Sequence, residues 1–318
     1  MQNENYNPGE NDPRDEEQNY QPDPESRPRM SPVSAAFLGL LVVFILYQVG
    51  GSLLTLVIFG FDMKNADITA VRLMTSAGQI LFILLPALIF TRLIYTDVTR
   101  HIRVKSASPW EIGIFSIGLL FLNTLLQSYM YIQNVVLIKL AGLFPVINSA
   151  KSYLDKVDKM VEDSYNSLLT SHSIIESVFI VIVVAVIPAV CEEVFFRGYV
   201  QKSFELRYKS FLGALITAVI FGLYHFHPYQ IIPLAALGLY FGFAAYMSNS
   251  ILVPIILHFL NNFIAVIMFF LYGSDDITVP KSISTADLRL SVIIFMALLA
   301  AFSVLIFLIN RIFYKKSN

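Results

Sequence analysis

The sequence contains little cysteine, little charge and no excess of positive charge. A single cysteine, Cys191, among 318 residues excludes an internal disulfide framework and a cysteine-rich metal site. The 22 basic and 23 acidic residues nearly cancel, so the chain offers no basic surface to a nucleic-acid partner. Charged residues make up only 14% of the chain, whereas hydrophobic residues make up 56%. This balance is too apolar for a soluble globular protein and favours a polytopic membrane protein.

Two motifs of common hydrolases are also missing. The chain has no Gly-x-Ser-x-Gly sequence, so a serine nucleophile on a sharp turn is not indicated. It has no His-Glu-x-x-His sequence either, so nothing supports the helix-borne zinc site of a zincin. Cys191 lies in an apolar segment, where a thiol is inert, and we assign it a packing role.

Eight apolar runs dominate the sequence instead. They cover residues 33–61, 73–95, 112–132, 174–200, 211–225, 231–247, 251–272 and 290–312. Most are close to the roughly 20 residues that a helix needs to cross a bilayer. The sequence therefore predicts an all-α, polytopic integral membrane protein with about eight transmembrane helices. The short connection 227–230 predicts that the fifth and sixth runs form a hairpin.

The first 30 residues differ in kind from the rest. They contain eight acidic residues, three basic residues and five prolines, with almost no aliphatic side chains. A segment of this composition cannot bury a core and is predicted to be disordered. The chain is thus divided into an acidic, proline-rich tail (1–30) and a membrane domain (31–318).

Basic residues between the runs predict the orientation in the membrane. With the N-terminus inside, the inner segments carry twelve Lys and Arg residues and the outer segments eight, and the inner ones are clustered. Both termini are therefore expected to be cytoplasmic, in a multi-pass protein of the cell membrane.

The longest polar connection, 148–173, has apolar residues at helical spacing (Leu154, Val157 and Val161). It is predicted to be an amphipathic helix on the membrane surface, with a solvated linker helix as the alternative.

Two carboxylates and a guanidinium lie in the fourth run or at its end, in the motif Glu192-Glu193-x-x-x-Arg197. Ionised groups in hydrocarbon cost at least roughly 2.5 kcal/mol each, so they are rarely kept without a function. Glu193 and Arg197 are four residues apart and are predicted to pair across one helical turn. Glu192 points about 100° away, which leaves it free for chemistry. Pro188, four residues before Glu192, is predicted to kink the helix.

Two further polar motifs lie in later runs. Phe221-x-x-x-His225 ends the fifth run, and His258-x-x-x-Asn262 lies in the seventh. A lone histidine in a soluble core is usually only a hydrogen-bonding group, but in hydrocarbon the functional interpretation is favoured. At about 1.5 Å per residue, both histidines and Asn262 reach a depth similar to that of Glu192. The sequence therefore predicts one site made of these four side chains.

A carboxylate, two imidazoles and an amide suit the hydrolysis of an acyl bond by activated water. The carboxylate accepts a proton from water, one imidazole holds the water or relays the proton, and the other two groups donate hydrogen bonds to the oxyanion. A metal site is the alternative, because Glu192, His225 and His258 form a set of two histidines and one carboxylate. Catalysis without a cofactor is the preferred interpretation, and a divalent metal stays open.

In this order and in successive runs, the three motifs resemble those of the CPBP family of intramembrane proteases. This family includes the CAAX prenyl endopeptidase Rce1 and the bacteriocin-immunity (Abi) proteins of bacteria. The resemblance covers roughly residues 174–270, so the catalytic core is placed at about 174–272. It implies a membrane fold of eight helices around a conical catalytic cavity.

The resemblance also implies a role for each polar residue of the motifs. Glu192 works with His225 to activate water. The oxyanion hole is formed by His258 and Asn262. The supporting residues are Glu193 and Arg197.

The sequence therefore predicts an intramembrane endopeptidase that hydrolyses a peptide bond of a peptide or membrane-associated protein, within or beside the lipid bilayer. One alternative is a non-catalytic membrane scaffold or bacteriocin-immunity protein of the same fold. Another is a transporter, because polar residues inside membrane spans also mark substrate paths. Transporters usually show two similar halves, whereas here the three polar motifs are confined to the fourth to seventh runs.

Overall fold

The computed structural model describes residues 28–60, 67–273 and 285–317, and every regular element in these ranges is a helix. The predicted all-α fold is therefore confirmed. In chain order the helices of these ranges are α1 (Pro32–Phe59), α2 (Ile68–Tyr95), α3 (Val98–His101), α4 (Pro109–Leu143), α5 (Pro145–Leu169), α6 (Ile174–Glu205), α7 (Ser210–Tyr224), α8 (Ile231–Ser248), α9 (Leu252–Tyr272) and α10 (Thr285–Ser317). The predicted disorder of the tail concerns a segment that, apart from residues 28–30, lies outside the described residues.

Seven helices of the described chain are long and apolar enough to cross a membrane: α1, α2, α4, α6, α8, α9 and α10. The remaining predicted span coincides with α7, which has only 15 residues. At 1.5 Å per residue α7 rises about 22 Å, less than the ~30 Å of hydrocarbon in a typical bilayer. All eight predicted runs thus coincide with helices, but α7 is shorter than a full span.

The hairpin predicted for the fifth and sixth runs is formed by α7 and α8, which pack closely against each other. Glycine permits the contact near the tip, because a Cβ on Gly222 would lie 2.6 Å from the backbone oxygen of Ile231. A Cβ on Gly238 of α8 would lie 3.1 Å from the Phe221 ring and 3.3 Å from the Arg197 guanidinium. The hairpin therefore brings α7, α8 and the charged part of α6 together.

Two large apolar clusters and a smaller one around Ile180 fill the interior of the described chain. One surrounds the second half of α6, where Phe195 and Tyr199 are buried against α1, α2 and α7. The other joins α4, α8, α9 and α10 and includes Phe115 and Phe241. Large aliphatic side chains also remain on the outside, such as Ile175, which is 84% exposed. Such an outer surface fits a lipid environment.

The helix that carries the acidic motif, α6, is not α-helical throughout. Its turns at Ile182–Val186 and Val194–Gln201 are π-helical, and the α-helical stretch Ile187–Glu193 lies between them. Such turns are rare and frequently occur at functional sites. A widened turn therefore directly precedes the stretch in which Pro188 was predicted to kink the helix.

The long polar connection is helical, as predicted, and forms α5, which packs against α2, α4, α6 and α9. Its predicted apolar residues are half-buried (Leu154, Val157 and Val161). The fully buried Arg72 of α2 holds its C-terminal end, because Arg72 Nε donates to the carbonyl oxygen of Leu168 at 3.0 Å. Arg72 also pairs with Glu176 of α6 at 2.6 Å. The position of α5 on the membrane surface stays a prediction.

The other anchor of α5 is the connection between α7 and α8. The Tyr229 hydroxyl donates to Asp155 Oδ1 at 2.6 Å, and His227 Nδ1 lies 3.0 Å from Asp158 Oδ1. His225 begins this connection. α5 therefore lies over the end of the hairpin that carries His225.

Candidate active site

Glu192 lies where α6 faces α2 and the tip of α7. Its Oε2 atom is 3.9 Å from Nε2 of His225 and has no hydrogen-bond partner among the described residues. Its Oε1 atom accepts a hydrogen bond from Gln79 Nε2 at 3.1 Å. The side chains of Glu192 and His225 are 13% and 24% exposed, while the Oε2 atom of Glu192 is itself buried. The two residues predicted to activate water are thus neighbours.

The orientation of His225 is set by its own helix. Its Nδ1 lies 2.7 Å from the carbonyl oxygen of Phe221. Because a carbonyl only accepts, Nδ1 carries the hydrogen, and in the neutral ring Nε2 carries the lone pair. Glu192 Oε2 and His225 Nε2 are then two acceptors across a gap of 3.9 Å, which is too wide for a direct hydrogen bond. A water molecule in such a place donates one hydrogen to each side.

Glu193 faces away from this gap, into a buried ion pair. Its Oε1 accepts a hydrogen bond from Arg197 Nη1 at 2.8 Å, and both side chains are 0% exposed. The pair predicted from the four-residue spacing is therefore present. The same oxygen lies 2.7 Å from Nδ1 of His258. Glu193 thus orients His258 as well as Arg197.

This contact limits what His258 can do. The carboxylate of Glu193 accepts, so Nδ1 carries a hydrogen, and Nε2 can donate only when the ring is doubly protonated. In that form the imidazolium has Glu193 as its counter-ion. The ring is fixed by packing on Phe241, with centroids 5.5 Å apart and planes at 24°. An oxyanion-hole role for His258 therefore requires the imidazolium form.

Arg197 connects the acidic motif to the hairpin. Its Nη2 donates to the carbonyl oxygen of Gly238 at 3.1 Å. Its guanidinium carbon lies 4.4 Å from the ring centroid of Phe221 and 5.4 Å from that of Phe241, within the range of cation–π contacts. One buried cation therefore joins α6, α7 and α8.

Asn262 of α9 contacts the widened turn of α6. Its Nδ2 donates to the carbonyl oxygen of Val184 at 3.2 Å. Pro188 has no N–H for this carbonyl, which lies four residues before it, and the Asn262 amide supplies a donor there. An amide nitrogen carries two hydrogens, so one remains for another acceptor. The structure thus gives Asn262 a contact with α6 that the sequence did not predict.

A shared metal ion would need Glu192, His225 and His258 to converge. In the part of the chain that the structure describes, no three His, Cys, Asp or Glu side chains are arranged to hold one. His258 directs Nδ1 to Glu193, while Glu192 faces His225. The three residues as they stand do not fit a shared ion.

The other three histidines lie outside this constellation. His101 stacks on Tyr95 with ring centroids 3.6 Å apart, and burial lowers the pKa of His101 to about 3. His227 contacts α5, and His172 lies in the connection between α5 and α6. Each of the three has a structural contact or a loop position away from Glu192.

Three residues near Glu192 were missed by the sequence analysis: Tyr47 of α1, Gln79 of α2 and Tyr165 of α5. Gln79 Nε2 donates to Tyr47 Oη at 3.2 Å as well as to Glu192. Tyr165 is 48% exposed, yet burial raises the pKa of its phenol and the charge of Glu192 raises it further. Gln79 had a signal, because it is a polar residue inside an apolar run, whereas tyrosines are common in membrane helices near the interface.

Comparison with known protein families matches residues 174–264 to the family described as type II CAAX prenyl endopeptidase Rce1-like. The matched range contains every residue of the three polar motifs. The resemblance inferred from those motifs is therefore confirmed for this part of the chain. No curated protein and no solved structure matches the chain.

Proposed function

We propose that this multi-pass membrane protein, with its Rce1-like segment, is an intramembrane endopeptidase in which Glu192 and His225 activate the attacking water. The observation that carries the proposal is the gap of 3.9 Å between Glu192 Oε2 and His225 Nε2. Oε2 has no partner among the described residues, and the hydrogen on His225 Nδ1 leaves Nε2 as an acceptor. A water molecule in this gap would meet two proton acceptors at once.

In the proposed reaction, the water oxygen attacks the carbonyl carbon of the scissile peptide bond while one proton passes to Glu192 or His225. The carbonyl oxygen then becomes negatively charged. Its proposed donors are Nε2–H of protonated His258 and the second Nδ2 hydrogen of Asn262. Collapse of the tetrahedral intermediate breaks the C–N bond, and the proton taken from water passes to the leaving amine.

The buried ion pair supports this mechanism by holding His258. Glu193 Oε1 accepts from both Arg197 and His258, and this triad is buried. A donor fixed in place before the reaction stabilises the developing charge better than one that must reorganise. Glu193 and Arg197 are therefore proposed as supporting residues that do not touch the substrate.

The proposed substrate is a peptide or a membrane-associated protein. The family match supports peptide hydrolysis, and the exposed apolar side chains of the surrounding helices support access from the bilayer. A labelled, farnesylated CAAX peptide is a suitable first probe. Comparison of membrane peptides from cells with active and inactive protein identifies other substrates.

The decisive test compares the wild type with Glu192→Gln in lipid vesicles. This change keeps the side-chain shape and removes the proton acceptor, so cleavage should be abolished while the protein folds and binds the peptide. His225→Ala should be equally severe, and Asn262→Ala should lower kcat roughly 10²–10³-fold. Asp163→Asn on α5, where the carboxylate is 65% exposed, is the matched control and should leave cleavage unchanged.

The outcomes distinguish the proposal from its alternatives. A Glu192→Gln protein that cleaves at the wild-type rate would show that the mechanism is wrong. A wild type that cleaves neither the probe nor any cellular membrane peptide would favour a scaffold or immunity protein. A transporter would give no product and no graded order among the variants.

A further inference from the structure

Two polar side chains from outside the family-matched segment reach the active-site carboxylate. Tyr47 lies in α1 within the π-helical turn Phe44–Gly50, and Gln79 of α2 directly precedes the π-helical turn Ile80–Leu84. Each is therefore presented at an irregular turn of its helix. Neither residue belongs to a motif of the matched segment, which begins at residue 174.

The side-chain nitrogen of Gln79 donates two hydrogen bonds. Nε2 donates to Glu192 Oε1 at 3.1 Å and to Tyr47 Oη at 3.2 Å, and only 6% of Gln79 is exposed. An ionised carboxylate only accepts hydrogen bonds, so the amide nitrogen, and not the amide oxygen, must face Glu192. Both Nε2 hydrogens are then used. Tyr47 thus helps to fix the orientation in which Gln79 contacts Glu192.

This contact places the two carboxylate oxygens of Glu192 in different surroundings. Oε1 is bonded to Gln79, whereas Oε2 faces His225 without a partner among the described residues. The terminal torsion of a glutamate is broad and roughly two-fold, so the carboxylate alone does not select one oxygen. A fixed donor on one side removes that freedom.

We propose that Gln79, oriented by Tyr47, is a positioning residue that selects Oε2 of Glu192 as the oxygen facing the attacking water. The inference rests on the proposed function and adds to it residues of α1 and α2. Where Glu192 is the proton acceptor, the proton of water passes to Oε2, while Oε1 keeps its hydrogen bond to Gln79 and shares the negative charge before that transfer. Gln79 does not touch the reacting atoms.

The kinetic test uses the full-length protein in lipid vesicles with the farnesylated CAAX peptide as probe. Gln79→Met keeps the length of the side chain and removes the donor, so kcat should fall roughly ten- to a hundred-fold, as expected for a lost hydrogen bond to a charged group. KM should change less than about two-fold, because the substrate is not contacted. Gln79→His, which restores a ring N–H donor at similar reach, should recover part of the lost kcat.

Two further variants sharpen the kinetic test. Tyr47→Phe removes only the second acceptor of Gln79, so kcat should fall less, by roughly two- to ten-fold. Gln127→Met on α4 is the matched control, because Gln127 is exposed and its side chain has no hydrogen bond with the described residues. It should have wild-type kinetics.

A measurement that does not depend on cleavage tests whether the hydrogen bond between Gln79 and Glu192 exists. Melting temperatures of Gln79→Met, Glu192→Met and the double variant form a double-mutant cycle that needs no substrate. If the contact exists, the melting-temperature shift of the double variant should differ from the sum of the two single shifts, which means that the shifts are coupled. Additive shifts would show that the contact is absent, and coupled shifts with an unchanged kcat in Gln79→Met would show a structural contact without a positioning role. A wild type that does not cleave the probe would instead overturn the proposed function for that peptide class, and this inference with it.

Discussion

Glu192 and Glu193 are adjacent in the chain but lie in opposite surroundings. Glu192 is partly exposed and faces His225, whereas Glu193 is fully buried between Arg197 and His258. A helix turns about 100° per residue, which is enough to produce this separation. Consecutive residues of one helix therefore supply a partly exposed carboxylate beside His225 and a fully buried counter-ion.

We expect Glu193 and Arg197 to be energetically coupled. Glu193→Gln or Arg197→Met leaves the other charge buried without its partner, which should destabilise the protein by about 3–5 kcal/mol. The double variant should lose less stability than the sum of the single variants. Unfolding of the four proteins in detergent measures this coupling.

The exposed pair Lys159 and Asp163 is the control for that experiment. Its side chains are 74% and 65% exposed and lie 4.0 Å apart at the same four-residue spacing. Lys159→Met and Asp163→Asn should show a coupling of about 0.5 kcal/mol or less. Equal coupling in the two pairs would contradict the importance of burial at Glu193.

At the residue scale, the sequence predicted only the contacts within one helix. The spacing of Glu193 and Arg197 predicted their pair, and the rotation of Glu192 predicted its separate environment. The contacts of these acids with Gln79 and His258 join residues 113 and 65 positions apart. Those contacts depend on the rotation and packing of separate helices, which spacing within one helix does not determine.

At the scale of the helices, the close contact of α7 with α8 positions the site. His225 follows the last residue of α7, and Phe221 and Gly238 surround Arg197. The contact leaves no room for a side chain at Gly222, where a Cβ would meet the backbone of Ile231 and Ala235 in α8.

Gly222→Ala should therefore separate the tip of the hairpin. The added Cβ would lie 2.6 Å from the oxygen of Ile231 and 3.1 Å from the nitrogen of Ala235, and backbone atoms cannot move aside as flexible side chains do. We expect a loss of stability of about 1–3 kcal/mol and reduced cleavage, because His225 lies three residues away. Gly113→Ala on α4 is the control, since no atom lies within 4 Å of its Cβ, and stability should change by less than about 1 kcal/mol. Wild-type melting and cleavage in Gly222→Ala would contradict this packing.

The apolar pattern predicted where the helices are, but not every boundary. The run 112–132 lies in α4, which continues to Leu143 because residues such as Gln133 and Lys139 are good helix formers without being apolar. The π-helical turns were not predicted either. One of them is contacted by Asn262 at the carbonyl of Val184, and this contact arises only when α9 packs on α6.

At the scale of the whole molecule, the orientation in the membrane stays a prediction. The clustered cations favour a cytoplasmic location for reporters placed after Asn318 and near Arg103. A reporter inserted near Asp158 of α5 should lie outside. Accessibility of each reporter in intact cells measures this. A cytoplasmic reporter near Asp158 would contradict the assigned orientation.

The length of α7 has a consequence for the lipid around the site. A helix that rises about 22 Å ends before it has crossed a typical bilayer, and the polar connection at its tip contacts Asp155 and Asp158 of α5. Lipid chains beside the hairpin are therefore expected to meet polar groups before the far headgroups, and local thinning of the bilayer is one way to accommodate this. Such hydrophobic mismatch is expected to bring interfacial water closer to the gap between Glu192 and His225. Acyl-chain length is thus expected to affect how easily this gap is hydrated.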